Sequence, residues 1–185
     1  MMKWLVVLDP IEGLIARTDT SIALINQARQ DSIEVDTATI DKLFFETHAA
    51  VVATDADGQE NEQSLAQYDL ILMRKEPPYD LAFHYATQLL SLSGTLVVNS
   101  PTALREFNEK LIALPFRQHM PPTLVSSDIG LLKGFLVRHG ACVIKILDSF
   151  QGKSVKRIES ADDALLREYT QNGSMPVMVQ QFNDR

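Results

Sequence analysis

Three short runs rich in apolar residues govern what this chain is able to fold into: Trp4 to Leu8, Tyr68 to Met73 and Thr95 to Asn99. Each is too short for a helix, and each is cut off by residues that suit neither a continuing sheet nor the inside of a helix. The first stops at Asp9-Pro10, the second at Arg74-Lys75-Glu76-Pro77-Pro78, the third at Ser100-Pro101. Runs of this kind read as buried strands. A helix start follows each one. Thr18-Asp19-Thr20-Ser21 offers N-caps ahead of Ile22, Ala23, Ile25 and Ala28 at helical spacing. Asp80 caps a helix that runs to about Leu92, and Pro101 occupies a first helical turn, where its missing N–H is no loss. Strands and helices in this order predict an α/β domain with a parallel sheet covered by helices.

Between these units, Ile33 to Ile40 alternates apolar and polar as a strand does. Phe44 to Thr54 reads as a hairpin or meander, and Asp55 to Gly58 as a turn. Met120-Pro121-Pro122 is a natural boundary, which predicts domains at 1–121 and 122–185. The second stretch differs in order. Thr123 to Val125 is a strand, and Asp128 caps a helix to about His139, stopped by Gly140. Cys142 to Leu147 and Ser154 to Ile158 are strands around a loop. Ser160 caps a helix to about Gln171, and Val177 to Phe182 is a last strand. The order β-α-β-β-α-β predicts a small α+β lobe.

Composition excludes several function classes. The formal charge of −7 disfavours nonspecific binding to nucleic acid or to anionic lipid. No stretch approaches the ~18 apolar residues of a membrane span. The first apolar run ends at Asp9, too early for the core of a signal peptide. A soluble cytoplasmic protein is expected. Cys142 is the one cysteine, so no internal disulfide forms; it lies in an apolar strand and reads as a buried inert thiol. The histidines His48, His84, His119 and His139 show no ligand spacing.

Some residues carry chemistry by position alone. Arg74 and Lys75 end a central strand, where open α/β sheets place ligands, and two adjacent cations there suit carboxylates. Asp9, after the first strand, and Ser21, at a helix start, are candidates for the same pocket. For Asp9 and Asp80, capping or turn chemistry is an equal reading. Lys145 lies inside Val143-Ile144-Lys145-Ile146-Leu147, on one face with Val143 and Leu147; a lysine buried there calls for an anion, and one on a solvent-facing side does not.

Four stretches together resemble the bacterial glutathione synthetase family of ATP-grasp ligases. They are Val7-Leu8-Asp9-Pro10-Ile11 with Asp19-Thr20-Ser21; Ile71 to Asp80, which includes Met73-Arg74-Lys75-Glu76-Pro77-Pro78-Tyr79-Asp80; Val98-Asn99-Ser100-Pro101 with Leu104-Arg105 and Asn108-Glu109-Lys110-Leu111; and Val143 to Asp148. They occur in the family's order, and the resemblance runs from about residue 3 to 182. Other ATP-grasp ligases, such as a ribosomal-protein glutamate ligase or D-alanine–D-alanine ligase, fit these stretches less well.

The resemblance implies a Rossmann-like substrate domain followed by the first lobe of a two-lobed ATP-grasp fold. It implies a ligase that joins γ-glutamylcysteine to glycine with ATP and Mg2+. Lys110 and Lys145 match the family's ATP-contacting lysines. Gln180 matches the glutamine before the adenine hinge, and Gln181, Phe182 and Asn183 fall on the hinge, where backbone groups meet the adenine edge. Arg74, Lys75, Asp9 and Ser21 become substrate-binding candidates.

Two departures bear on the expectation. Where the family has a glycine-rich phosphate loop, this chain reads Asp148-Ser149-Phe150-Gln151-Gly152-Lys153, with Gly152 alone at a family glycine position. Ser149, Phe150 and Gln151 do not all adopt positive φ cheaply. The family's second lobe, which carries the acidic residues and asparagine that hold magnesium, has no counterpart before Arg185. The resemblance thus implies a ligase fragment with no catalytic or metal residue of its own, inactive by itself, whose partners are a homo-oligomer or a separate second-lobe chain. The alternative is a stand-alone peptide- or nucleotide-binding module.

Overall fold

The computed structural model describes residues 1–148 and 155–183. The chain packs as two units, Met1–Glu106 and Phe107–Arg185.

In the first unit the elements run β1 (Lys3–Val7), α1 (Thr20–Gln30), β2 (Glu34–Ala38), β3 (Leu43–Phe45), β4 (Ala49–Thr54), β5 (Glu60–Ser64), β6 (Leu70–Met73), α2 (Leu81–Ser91), β7 (Leu96–Val98) and α3 (Pro101–Glu106). The parallel strands stand in the order β2-β1-β6-β7. β1 is central, with Leu5 opposite Asp36 on one side and Ile71 on the other. The expected covered parallel sheet is present. Helix α1 packs Ile25 and Ala28 with Val6, Leu8 and Val35. Helix α2 packs Phe83, Ala86 and Leu90 with Leu5, Val7 and Ile71. Successive residues of β1 thus feed opposite faces, as pleating requires. The chain leaves β1 toward β2 over one face and β6 toward β7 over the other. The topological switch point therefore lies between the ends of β1 and β6.

Two features depart from the sequence expectation. The alternation in β2 is not expressed as one wet and one dry face, because Val35, Asp36, Thr37 and Ala38 are all buried. A parallel strand is covered on both sides. Asp36 is therefore held by other polar groups: the Tyr68 hydroxyl donates to Oδ2 at 2.8 Å and the Lys3 ammonium stands 3.0 Å from the same oxygen. Burial, and then the Asp36 carboxylate, push the Tyr68 phenol above its ordinary range. The second departure is β5, whose residues Glu-Asn-Glu-Gln-Ser carry no apolar pattern. It forms a full antiparallel ladder with β4, from Ala50 opposite Ser64 to Thr54 opposite Glu60. The turn between them is built by Asp55, whose Oδ1 accepts from the N–H groups of Asp57 and Gln59, and by Gly58 at φ +79°.

In the second unit a 3-10 helix (Leu111–His119) leads into β8 (Thr123–Ser126), α4 (Ile129–His139), β9 (Cys142–Ile146), β10 (Val155–Ile158), α5 (Asp163–Tyr169) and β11 (Val177–Gln181). The sheet is antiparallel, in the order β10-β9-β11-β8. This is the expected α+β lobe. One face buries Cys142, Ile144, Ile158, Val177 and Val179 with Leu132, Phe135, Leu136 and Leu166 of the two helices. Asp162, not Ser160, caps α5, accepting from Ala164 and Leu165 N–H. The division between units falls ahead of Met120-Pro121-Pro122. The segment from Phe107 goes with the second unit because the Asn108 amide donates to the Leu147 carbonyl at 3.0 Å.

Candidate functional site

The first unit gathers Asp9, Ser21, Arg74 and Lys75, which are up to 66 residues apart in sequence, at the switch point. β1 delivers Asp9 and β6 delivers Arg74 and Lys75, because Val7 and Met73 are register partners. The Arg74 N–H closes the junction on the Val7 carbonyl at 2.7 Å. The two cations then part company. Lys75 is mostly buried and paired: its ammonium lies 2.8 Å from Asp9 Oδ1 and donates to the Glu76 carbonyl at 2.8 Å. The other Asp9 oxygen accepts from the Glu76 N–H at 2.8 Å. Asp9 therefore holds the Arg74–Pro78 segment in place, which joins the turn reading to the pocket reading.

Arg74 has a different environment. Its Nε donates to Ser21 Oγ at 3.1 Å and its Nη2 to Thr20 Oγ1 at 2.8 Å. Among the described residues no carboxylate pairs with it. Two neutral hydroxyls orient the guanidinium, a planar fork of the kind that can meet a carboxylate. The N-terminus of α1 adds less than the sequence suggested. Asp19 already accepts from the N–H groups of Ser21 at 2.7 Å and Ile22 at 3.1 Å. Ser21 thus contributes its hydroxyl, not its N–H. Thr20 was missed; its place beside Ser21 at a helix start was the available signal.

The second unit places Lys145 on the sheet face opposite the helices, with Val143, Met178 and Gln180. Its ammonium donates to Gln180 Oε1 at 2.6 Å, and Gln180 Nε2 donates to Thr123 Oγ1 at 2.9 Å. The Thr123 hydroxyl donates in turn to the Pro121 carbonyl at 2.8 Å. The polarity of this row is fixed, since an ammonium only donates and must meet the amide oxygen. Gln180 is thus a buried holder of Lys145. Among the described residues the lysine has a neutral partner and no carboxylate. Lys110 reaches the same end of β9, donating to the Leu147 carbonyl at 3.2 Å and to Glu109 Oε1 at 2.7 Å. Both lysines and Gln180 were candidates from the sequence, and Thr123 was not, because its register opposite Gln180 appears only once the sheet is formed.

At the hinge, two backbone donors are already in use. The Gln181 N–H donates to the Pro122 carbonyl and the Phe182 N–H to the Ala141 carbonyl, both at 2.9 Å. The Arg157 guanidinium lies 4.2 Å from the centre of the Phe182 ring. Gly152 and its neighbours Ser149 to Lys153 lie outside the described residues. Among those described, no group of three or more His, Cys, Asp or Glu is arranged to hold a metal ion. No described helix is long and apolar enough to cross a membrane.

A family model for the N-terminal domain of prokaryotic glutathione synthetase matches residues 2–105. A second, for the ATP-grasp domain of that enzyme, matches residues 109–185. The glutathione synthetase of Synechocystis sp. is 35% identical over 208 residues, which cover 98% of this chain and 65% of that protein. That of Salmonella typhimurium is 34% identical over 200 residues, 98% of this chain and 64% of its own length. The chain thus spans slightly less than two thirds of these relatives. Among solved structures, D-alanyl-alanine synthetase A from Vibrio cholerae O1 biovar eltor superposes with a TM-score of 0.64 at 13% identity, over 98% of this chain and 59% of that one. That likeness is one of fold.

Proposed function

The chain belongs to the prokaryotic glutathione synthetase family, and from that premise we propose that it serves the ATP-dependent ligation of γ-glutamylcysteine to glycine. In this reaction the cysteinyl carboxylate takes the γ-phosphoryl group, ADP leaves, and an acyl phosphate forms. The glycine amine then attacks the carbonyl, the C–O bond breaks, and phosphate departs. In our reading the first unit is the substrate domain and the second is the first lobe of the ATP-grasp. Arg74, set by Ser21 and Thr20, binds a peptide carboxylate. Lys75 and Asp9 shape its surroundings. Lys145, steadied by Gln180, and Lys110 face the nucleotide phosphates, as point charges beside the end of β9. Gln181, Phe182 and Asn183 border the adenine, and Gly152 belongs to the phosphate loop. ATP and magnesium use follow from the family. No magnesium ligand is assigned among the described residues. A cytoplasmic location belongs to the same proposal.

The observation that carries this reading is the Arg74 guanidinium, oriented by two hydroxyls and left without a carboxylate at the switch point. Calorimetric titration of the chain with γ-glutamylcysteine tests it. Arg74→Gln is expected to weaken binding by about tenfold or more, the scale of a lost charge-assisted hydrogen bond. Unchanged affinity in that variant sinks the assignment. A second reading, a module that binds the peptide and not the nucleotide, is favoured by Ser149-Phe150-Gln151 standing where the family has glycines. Titration with Mg-ATP separates the two: peptide binding without nucleotide binding selects the module.

A further inference from the structure

The Arg74–Pro78 segment is tied at its first end, by the Arg74 N–H on the Val7 carbonyl and by the contacts of Lys75 and Glu76 with Asp9. Pro77 and Pro78 have no N–H to donate, so the far end needs another hold. Tyr79 supplies it. Tyr79 stands just before the Asp80 cap of α2, and His84 is the fourth residue of that helix. At these two places a pair of apolar side chains fixes the angle at which a chain enters a helix. Here the pair is aromatic with polar tips. The Tyr79 ring packs on Phe83 with 4.8 Å between centroids and meets the His84 ring edge-on at 6.1 Å. Its hydroxyl lies 3.2 Å from His84 Nδ1, and Gln88 Nε2 lies 3.2 Å from His84 Nε2. An amide nitrogen only donates, so Nε2 accepts. The neutral ring then carries its proton on Nδ1 and donates it to the Tyr79 oxygen. The histidine backbone is itself fixed: its N–H donates to the Asp80 carbonyl at 2.9 Å, and its carbonyl accepts from Thr87 Oγ1 at 2.7 Å. The two prolines stiffen what lies between the ties. Each fixes its own φ and restricts the residue before it, Glu76 and Pro77. A shift at Tyr79 is therefore passed back toward Lys75 and Arg74 with little absorbed on the way.

We propose that His84 is a positioning residue for ligand binding: through the Tyr79 hydroxyl it holds the far end of the Arg74–Pro78 segment, and so keeps Arg74 where Ser21 and Thr20 meet its guanidinium. The inference rests on the reading of Arg74 as the group that binds a peptide carboxylate. His84 acts through another side chain and not by contact with the ligand.

The test is calorimetric titration of γ-glutamylcysteine into the 185-residue chain and its Tyr79→Phe, His84→Ala and Arg74→Gln variants, singly and in pairs. Tyr79→Phe keeps the ring and loses the bond. Tyr79→Phe and His84→Ala are each expected to weaken binding by about two- to fivefold, the upper figure being the weight of one neutral hydrogen bond. Tyr79→Phe is expected to cost nothing further beside His84→Ala, because the pair acts as one unit, and nothing further beside Arg74→Gln, because the pair acts through Arg74. A bond that only stabilised the fold would lower the urea midpoint and leave affinity alone. Without ligand, exchange of the Glu76 amide followed by NMR should quicken by about two- to fivefold in Tyr79→Phe. Circular dichroism checks that every variant folds. Unchanged affinity in both single variants, a Tyr79→Phe loss that persists in full beside Arg74→Gln, or an unmoved Glu76 amide overturns the positioning role and leaves the Arg74 reading standing. No binding of γ-glutamylcysteine by the wild type overturns the Arg74 reading, and the Glu76 amide then decides by itself whether His84 holds the segment.

Discussion

Tyr68→Phe removes one oxygen from the interior of the first unit, and the structure sets what this costs. Tyr68 and Asp36 are each 3% exposed, and their bond is 2.8 Å long. Among the described residues Asp36 Oδ1 has no hydrogen-bond partner, so Oδ2 carries both contacts, Tyr68 and Lys3. Without the hydroxyl, a buried carboxylate keeps one donor. A hydrogen bond to a charged group contributes about 1.5–3 kcal/mol; with one donor remaining, about 2 kcal/mol is the expected loss. Urea unfolding followed by the fluorescence of Trp4, the single tryptophan and a β1 residue, reads this unit. At a slope of ~2 kcal/mol per molar, the midpoint should fall by ~1 M. In an Asp36→Asn background the same change deletes a neutral hydrogen bond, worth about 1 kcal/mol. An equal penalty in both backgrounds, or one below ~0.5 kcal/mol, refutes the argument. The pH dependence has a definite sign. The Tyr68 phenol is raised in the folded state from its ordinary 10.0, so its contribution is intact below that pH. Above it the unfolded chain releases the proton first, and stability falls as pH rises. Tyr68→Phe should lack this part of the alkaline decline.

Lys145→Met is expected to weaken ATP binding by about tenfold or more in calorimetry, and Gln180→Leu to weaken it less, since the lysine then loses its holder and not its charge. Gly140→Ala should destabilise the second unit by about 1–3 kcal/mol in a thermal melt, because φ +68° and ψ −132° form a glycine conformation and no neighbour crowds the added carbon. Cys142, fully buried with its thiol pushed up by burial, should resist alkylation at pH 8 and react once urea unfolds the chain.

What the sequence disclosed follows from how locally each signal is written. The strands β1, β6 and β9 and the caps Asp19, Asp80 and Asp128 are readable because apolar runs and capping side chains act within a few residues. β5 is not, since its five polar residues join the sheet through backbone bonds to β4 alone. The site shows the same divide. Arg74, Lys75 and Asp9 were visible as residues at strand ends. That Asp9 neutralises Lys75 and leaves Arg74 to the hydroxyls depends on the pairing of β1 with β6, which no short window contains. The division of the compact units ahead of the prolines is of the same kind, since the bond from Asn108 to Leu147 spans 39 residues.

The central position of β1 has a consequence for how the first unit comes to be. Of the described strands β1 comes earliest in the sequence, and it has neighbours on both sides. Leu5 waits for Asp36 and then for Ile71, and the second pairing closes a loop about twice as long as the first. Doubling a loop adds only ~0.6 kcal/mol of closure entropy, so the delay is one of order more than of energy. Until Met73 has been added, β1 has one bare edge, and the cation site is absent because half of its residues do not yet exist. Assembly of the sheet and assembly of the site are therefore a single event, and a lesion that slows the docking of β6 should appear as lost ligand binding and as aggregation together.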